Sequence, residues 1–83
     1  KISRQDMAVM IYRLLNLKNT APPAAEVTFS DSDMISEYAK EAVGALAGGG
    51  MVNGIGDNLF SPSGTATRAE AAQMVFNVLE FIR

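Results

Sequence analysis

Thr67-Arg68-Ala69-Glu70-Ala71-Ala72-Gln73-Met74-Val75 decides how the fold is read, because it carries a complete helix start and the first turns that follow. A hydroxyl side chain at the N-cap accepts from a free backbone N–H, and an acid three residues on reaches back to the cap's own N–H. Thr67 and Glu70 fit both halves of that capping box. Ser3-Arg4-Gln5-Asp6 repeats the pattern in degenerate form with a shorter carboxylate. Both starts place arginine at the first helical position, where the positive end of the helix dipole disfavours a cation by about 0.3 to 1 kcal/mol. An unfavourable choice made twice points to a second purpose. A guanidinium beside free N–H groups at a helix start is a good receptor for a carboxylate or phosphate.

Downstream of Thr67 the spacing predicts a helix from Arg68 to about Ile82, with Ala71, Met74, Val75, Val78, Leu79 and Ile82 on its buried face. From Ser3 it predicts another to about Asn16, carrying Met7, Met10, Ile11 and Leu14, with Ala8, Tyr12 and Leu15 widening the stripe. The two helices align: Arg4 with Arg68, Ala8 with Ala72, Met10 with Met74 and Leu15 with Leu79 are identical, and Ile11 with Val75, Tyr12 with Phe76 and Leu14 with Val78 are conservative. The chain therefore reads as an internal repeat, with a complete unit over 29–83 and the final helix of a preceding unit over 1–17. Residues 18–28, with Pro22-Pro23 and no periodicity, form the linker. The chain reads as a piece of a longer polypeptide. Repeat units bury their cores against one another, so such an excerpt is expected to leave apolar surface uncovered.

Within the complete unit, Ser30-Asp31-Ser32-Asp33 is rich in side chains that bond their own backbone, and Met34-Ile35 is expected to form one tight turn. A further helix is predicted from about Ser36 or Glu37, with Ala39, Ala42, Val43 and Leu46 on one face and Glu37, Lys40 and Glu41 opposite. Gly48-Gly49-Gly50 ends it. After the short apolar stop Met51-Val52, the segment Asn53-Gly54-Ile55-Gly56-Asp57-Asn58-Leu59-Phe60 packs turn formers around three apolar residues. It predicts tight turns or a very short hairpin with Ile55, Leu59 and Phe60 turned inward. The fold class is mainly α: short helices joined by irregular, turn-rich loops.

Composition narrows the functions. Eighty-three residues make one small domain, near the size at which a single core only just supports folding. A net charge of −2 argues against a nucleic-acid partner, which calls for a basic face. There is no cysteine and no histidine, which removes thiolate chemistry, the commonest metal ligand and the commonest neutral-pH proton shuttle. No apolar run is long enough to span a membrane. A calcium loop starting at Asp57 fails because Leu59, Pro62 and Arg68 stand where an oxygen ligand, the turn glycine and the closing glutamate belong. The glycines at Gly48 lack the spacing of a phosphate-binding fingerprint. Asp57 and Glu70 as a glycosidase pair would need a deep pocket, of which so small a chain gives no sign. No catalytic residue, cofactor or metal is expected.

Taken in order, Phe29-Ser30-Asp31, Tyr38-Ala39, Ala42-Val43, Leu46, Gly50-Met51-Val52, the loop from Gly54 to Pro62, and Thr67-Arg68-Ala69-Glu70 resemble the S-layer homology family. The match covers nearly all of 29–79, with the final tetrad recurring in degenerate form at Ser3. The resemblance implies a non-catalytic anchor at the bacterial cell surface, one of several repeats that bind secondary cell-wall polysaccharide, often bearing pyruvate ketals. It implies a three-pronged, pseudo-trimeric helical spindle with the helices after the Thr-Arg-Ala-Glu motifs at its centre. By position, Arg68 would contact the anionic sugar, Glu70 would support it, Gly54 and Asp57 would lie nearby, and Arg4 would serve the preceding unit. Tyr38 stands where the family often has tryptophan, Asn58 replaces a glycine, and Gln5-Asp6 replaces Ala-Glu.

The residues also carry plainer readings. Thr67 and Glu70 are accounted for by capping alone, and Asp57 by its turn. Tyr38 can stack on a sugar ring or pack on the core. Arg68 is different, because capping does not require it. The partners expected are wall polysaccharide, neighbouring repeats and further copies of this fragment, with no nucleic acid and no membrane. The competing class is a structural segment that assembles through its apolar faces and binds no sugar by itself.

Overall fold

A computed structural model describes residues 2–23, 29–52 and 58–82. The chain is mainly helical: α1 (Arg4–Leu17), a short 3-10 helix (Ser32–Met34), α2 (Glu37–Gly48) and α3 (Arg68–Ile82). The only β-type pairing among the described residues is an isolated antiparallel bridge between Ser3 and Thr65. Among the described residues, no helix is long and apolar enough to cross a membrane.

The helix limits follow from the capping residues. Ser3 accepts the Asp6 N–H at 3.2 Å and opens α1, Ser36 is the N-cap of α2, and Gly50 adopts φ +80 just beyond the end of α2, a conformation glycine takes without steric cost. The tight turn expected at Met34-Ile35 is the end of the 3-10 helix, with Ile35 buried and Met34 exposed.

The core gathers Met7, Ala8 and Leu15 from α1, Ala39, Val43 and Leu46 from α2, Met74 from α3, and Ile35, Met51, Val52 and Phe60 from the connections. Leu46, Met51 and Val43 are the largest fully buried side chains, each contributing about 1.5 to 3 kcal/mol relative to exposure. The α2 face forms as its periodicity predicts, and its small residues Ala39, Ala42, Gly44 and Ala45 are all buried. α1 and α2 pack directly on each other, the one close helix pairing among the described residues.

The predicted faces of the other two helices are only partly right. On α1, Met10 and Leu14 are exposed, and the buried positions are Gln5, Met7, Ala8 and Leu15. On α3, Met74 is buried and Ala71 and Val78 pack against the core, while Val75, Leu79 and Ile82 are exposed. Both helices carry more apolar residues than one contact needs. In α1 a second stripe, Met10, Leu14 and Leu17, is exposed; in α3 the exposed stripe Val75, Leu79 and Ile82 has no described helix against it.

The turn-rich loop is held where it can be described. Phe29 and Phe60 stack with centroids 5.4 Å apart. The Asp31 carboxylate accepts from the N–H groups of Phe60 at 2.9 Å and Ser61 at 2.8 Å. Asn58 at φ 58 and Ser61 at φ 57 occupy the left-handed region, the first as expected for an asparagine in a glycine position. The expected inward turn of Ile55, and Gly54 and Asp57 themselves, fall in 53–57, outside the described residues.

Candidate functional site: the converging helix starts

The N-terminal ends of all three helices meet. The Ser3 to Thr65 bridge, with the Ala66 N–H donating to the Ile2 carbonyl at 2.9 Å, lays the start of α1 against the segment leading into α3. From there three consecutive residues of α1 reach three different partners. Arg4 grips Glu70 of α3 as a fork, Nε to Oε2 at 2.9 Å and Nη2 to Oε1 at 3.0 Å. The Gln5 amide donates to Ser36 Oγ at 3.1 Å and accepts the Ser36 N–H at 2.9 Å. Asp6 Oδ1 accepts the Tyr38 hydroxyl at 2.6 Å.

The two matched starts differ in what surrounds them. At α1 the Arg4 N–H donates to the Gly64 carbonyl at 2.9 Å and the Gln5 N–H to the Pro62 carbonyl at 3.0 Å, so the free N–H groups of that end are satisfied by protein. The capping box at Ser3 is only half made, because the Asp6 carboxylate is turned to Tyr38. At α3 the box is complete: Glu70 Oε1 accepts the Thr67 N–H at 2.7 Å, and Thr67 Oγ1 accepts the Glu70 N–H at 3.1 Å. The Arg68 and Ala69 N–H groups have no acceptor among the described residues. The Arg68 side chain is exposed and makes no hydrogen bond or ion pair with any of them.

Glu70 is the electrostatic centre of this arrangement. The Thr67 N–H, followed by the hydrogen bond and charge of Arg4, holds its carboxyl below the usual glutamate range against the opposing effect of partial burial. The Tyr38 hydroxyl is pushed up, chiefly by its hydrogen bond to Asp6. Tyr38 itself is exposed, so of the two readings of this ring the structure removes the core one and leaves a ring face in solvent with its hydroxyl tied down. Arg4 has a partner other than the glycan role implied by resemblance. Its guanidinium is taken up by Glu70 and, at 3.4 Å, by the Ser61 carbonyl.

Sequence reasoning overlooked Gln5 as a contact, although a buried-face polar residue where α3 has Ala69 was the available signal. Asp31 passed as a turn former, and nothing local marked Gly64 as the position lying against Arg4 Nη1.

A family model for the S-layer homology domain matches residues 28–72, more than half of the chain. The chain belongs to the S-layer homology family. Three relatives accompany the match. An amylopullulanase from Thermoanaerobacterium thermosulfurigenes is 40% identical over 95% of the chain and 4% of its own length. The exoglucanase XynX of Acetivibrio thermocellus is 38% identical over 95% of the chain and 8% of its own length. A surface-layer 125 kDa protein of Lysinibacillus sphaericus is 42% identical over 71% of the chain and 5% of its own length. The chain thus spans less than a tenth of each of these proteins. No solved structure matches it significantly. An S-layer homology domain is a non-catalytic anchoring module that occurs in repeats, and it is associated with the cell wall at the bacterial surface.

Proposed function

We propose that this domain holds its parent protein on the wall by binding secondary cell-wall polysaccharide through an acidic substituent, such as a pyruvate ketal, at the start of α3. The observation that carries this reading is the contrast between the two matched helix starts. At α1 an arginine in the first helical position grips a carboxylate, that of Glu70. At α3 the equivalent Arg68 is exposed beside two N–H groups without acceptors among the described residues, and offers the same receptor to an external carboxylate. Thr67 and Glu70 fix the turn that presents it, Arg4 keeps Glu70 oriented, and the exposed ring of Tyr38 is a stacking face for a sugar. Gly54 and Asp57 complete the loop side of this proposal.

Calorimetric titration of the folded chain with purified pyruvylated wall polysaccharide tests it, beside Arg68→Ala and depyruvylated polymer. Binding that weakens with either change is expected. Equal binding by Arg68→Ala with an intact fold rejects the assignment.

A second reading is favoured by a separate observation, the exposed apolar stripes Val75, Leu79 and Ile82 on α3 and Met10, Leu14 and Leu17 on α1. These faces fit neighbouring repeats or further copies of this chain, and in that reading the chain self-associates. A monodisperse monomer across a wide concentration range in sedimentation refutes self-association.

A further inference from the structure

The start of α2 lacks a capping group of its own. Its N-cap is Ser36, whose side chain makes no capping hydrogen bond. The third helical position, where a glutamate or glutamine would close a capping box by accepting the N-cap N–H, is Ala39, which is fully buried. The missing acceptor comes from another helix: Gln5 Oε1 takes the Ser36 N–H at 2.9 Å, while Gln5 Nε2 donates to Ser36 Oγ at 3.1 Å. Gln5 is the one buried polar side chain among the described residues, and both ends of its amide are used on Ser36. At the next residue, Asp6 is drawn out of its own capping box to hold the Tyr38 hydroxyl at 2.6 Å.

We propose that Gln5 and Asp6 make the start of α1 a pairing element that completes the cap of α2 in trans and is specific for a following segment with a serine N-cap and a tyrosine two residues beyond it. The start of α3 is not interchangeable with it. Ala69 stands in the position of Gln5 and has no amide to give, and Glu70, in the position of Asp6, is already held by Thr67 and Arg4. The two departures from Thr-Arg-Ala-Glu at α1 thus set the order in which helix and segment pair. The arginine common to both starts adds nothing to that discrimination, because at α1 it is engaged by Glu70 of α3 and not by α2.

Native-state amide hydrogen exchange on the full chain tests this, comparing wild type with Gln5→Ala/Asp6→Glu, which gives α1 the Arg-Ala-Glu of α3. The expected result is a roughly tenfold faster exchange of the Ser36 N–H, from the loss of one partly buried hydrogen bond, with the Arg4 and Ala66 N–H groups unchanged. Unchanged Ser36 exchange, or an equal rise at Ser36, Arg4 and Ala66, overturns the proposal, because the first shows no trans cap and the second only general loosening. Where that variant does not fold, Gln5→Ala and Ser36→Ala are combined with each other. Non-additive shifts of the urea midpoint support the pairing and additive shifts overturn it.

Discussion

Replacing Arg4 by alanine probes the contact that joins α1 to α3. The pair has two hydrogen bonds of 2.9 and 3.0 Å and a closest N–O approach of 2.8 Å, with the arginine side chain 16% and the glutamate 31% exposed. Fully exposed ion pairs contribute about 0.2 to 1 kcal/mol, and hydrogen bonds to charged groups about 1.5 to 3 kcal/mol. A forked, partly exposed pair lies between, so the expected coupling in a double-mutant cycle of Arg4→Ala with Glu70→Ala is about 1 to 2 kcal/mol. The cycle is needed because Glu70→Ala also removes the acceptor of the Thr67 N–H, a cap worth about 1 kcal/mol. Against a total of about 4 to 12 kcal/mol for 83 residues the effect is readily measured. Urea unfolding at unchanged m supplies the free energies. Lys40 and Glu37, 3.5 Å apart with side chains 45% and 91% exposed, serve as the internal control with an expected coupling of about 0 to 0.5 kcal/mol. A coupling at Arg4 and Glu70 no larger than the control refutes the reasoning. Acid adds a second check. The Glu70 carboxyl is depressed in the folded state, so its stabilisation is fully present above the ordinary value of 4.5 and is lost as the pH falls through the lower folded value.

Further outcomes follow from individual contacts. Asp31→Asn takes the charged acceptor from both the Phe60 and Ser61 N–H groups, leaves only one of them facing an amide oxygen, and is expected to cost about 1 to 2 kcal/mol in urea unfolding at neutral pH. Burial pushes the Asp31 carboxyl up, but those two N–H groups outweigh it and hold it below its ordinary 3.8. The cost of the substitution therefore shrinks as the pH falls below that value. Gly64→Ala places a methyl group against Arg4 Nη1 and Ser61 Oγ, so it destabilises by an amount similar to Arg4→Ala and adds little in the double variant. On the reading that the chain self-associates through the exposed stripe of α3, Val75→Glu or Leu79→Glu lowers its sedimentation coefficient without lowering its urea midpoint.

The helices and their approximate limits were legible because the signals are local: Ser3 as a cap, the helical spacing that begins near Ser36 or Glu37, the glycines after α2, and the complete box at Thr67. The buried face of α2 was legible too, since only one of its sides is apolar. The faces of α1 and α3 were not, because each carries two apolar stripes and periodicity cannot say which one meets the core and which stays exposed. At the candidate site, the doubled arginine is what raised the expectation of an anion receptor. That Glu70, sixty-six residues away, occupies the first receptor is a long-range fact with no local signature. Gln5 was hidden for the same reason: its partner Ser36 lies across the linker, and the departure from alanine looked like degeneration of the motif.

Calorimetric binding of the folded chain to pyruvylated wall polysaccharide, with Arg68→Ala alongside and at two salt concentrations, tests the central claim most directly. The account predicts binding that weakens about tenfold in the variant, from the loss of one charge-assisted contact, and weakens again at high salt. Binding by Arg68→Ala equal to that of the unaltered chain at both salt concentrations contradicts it.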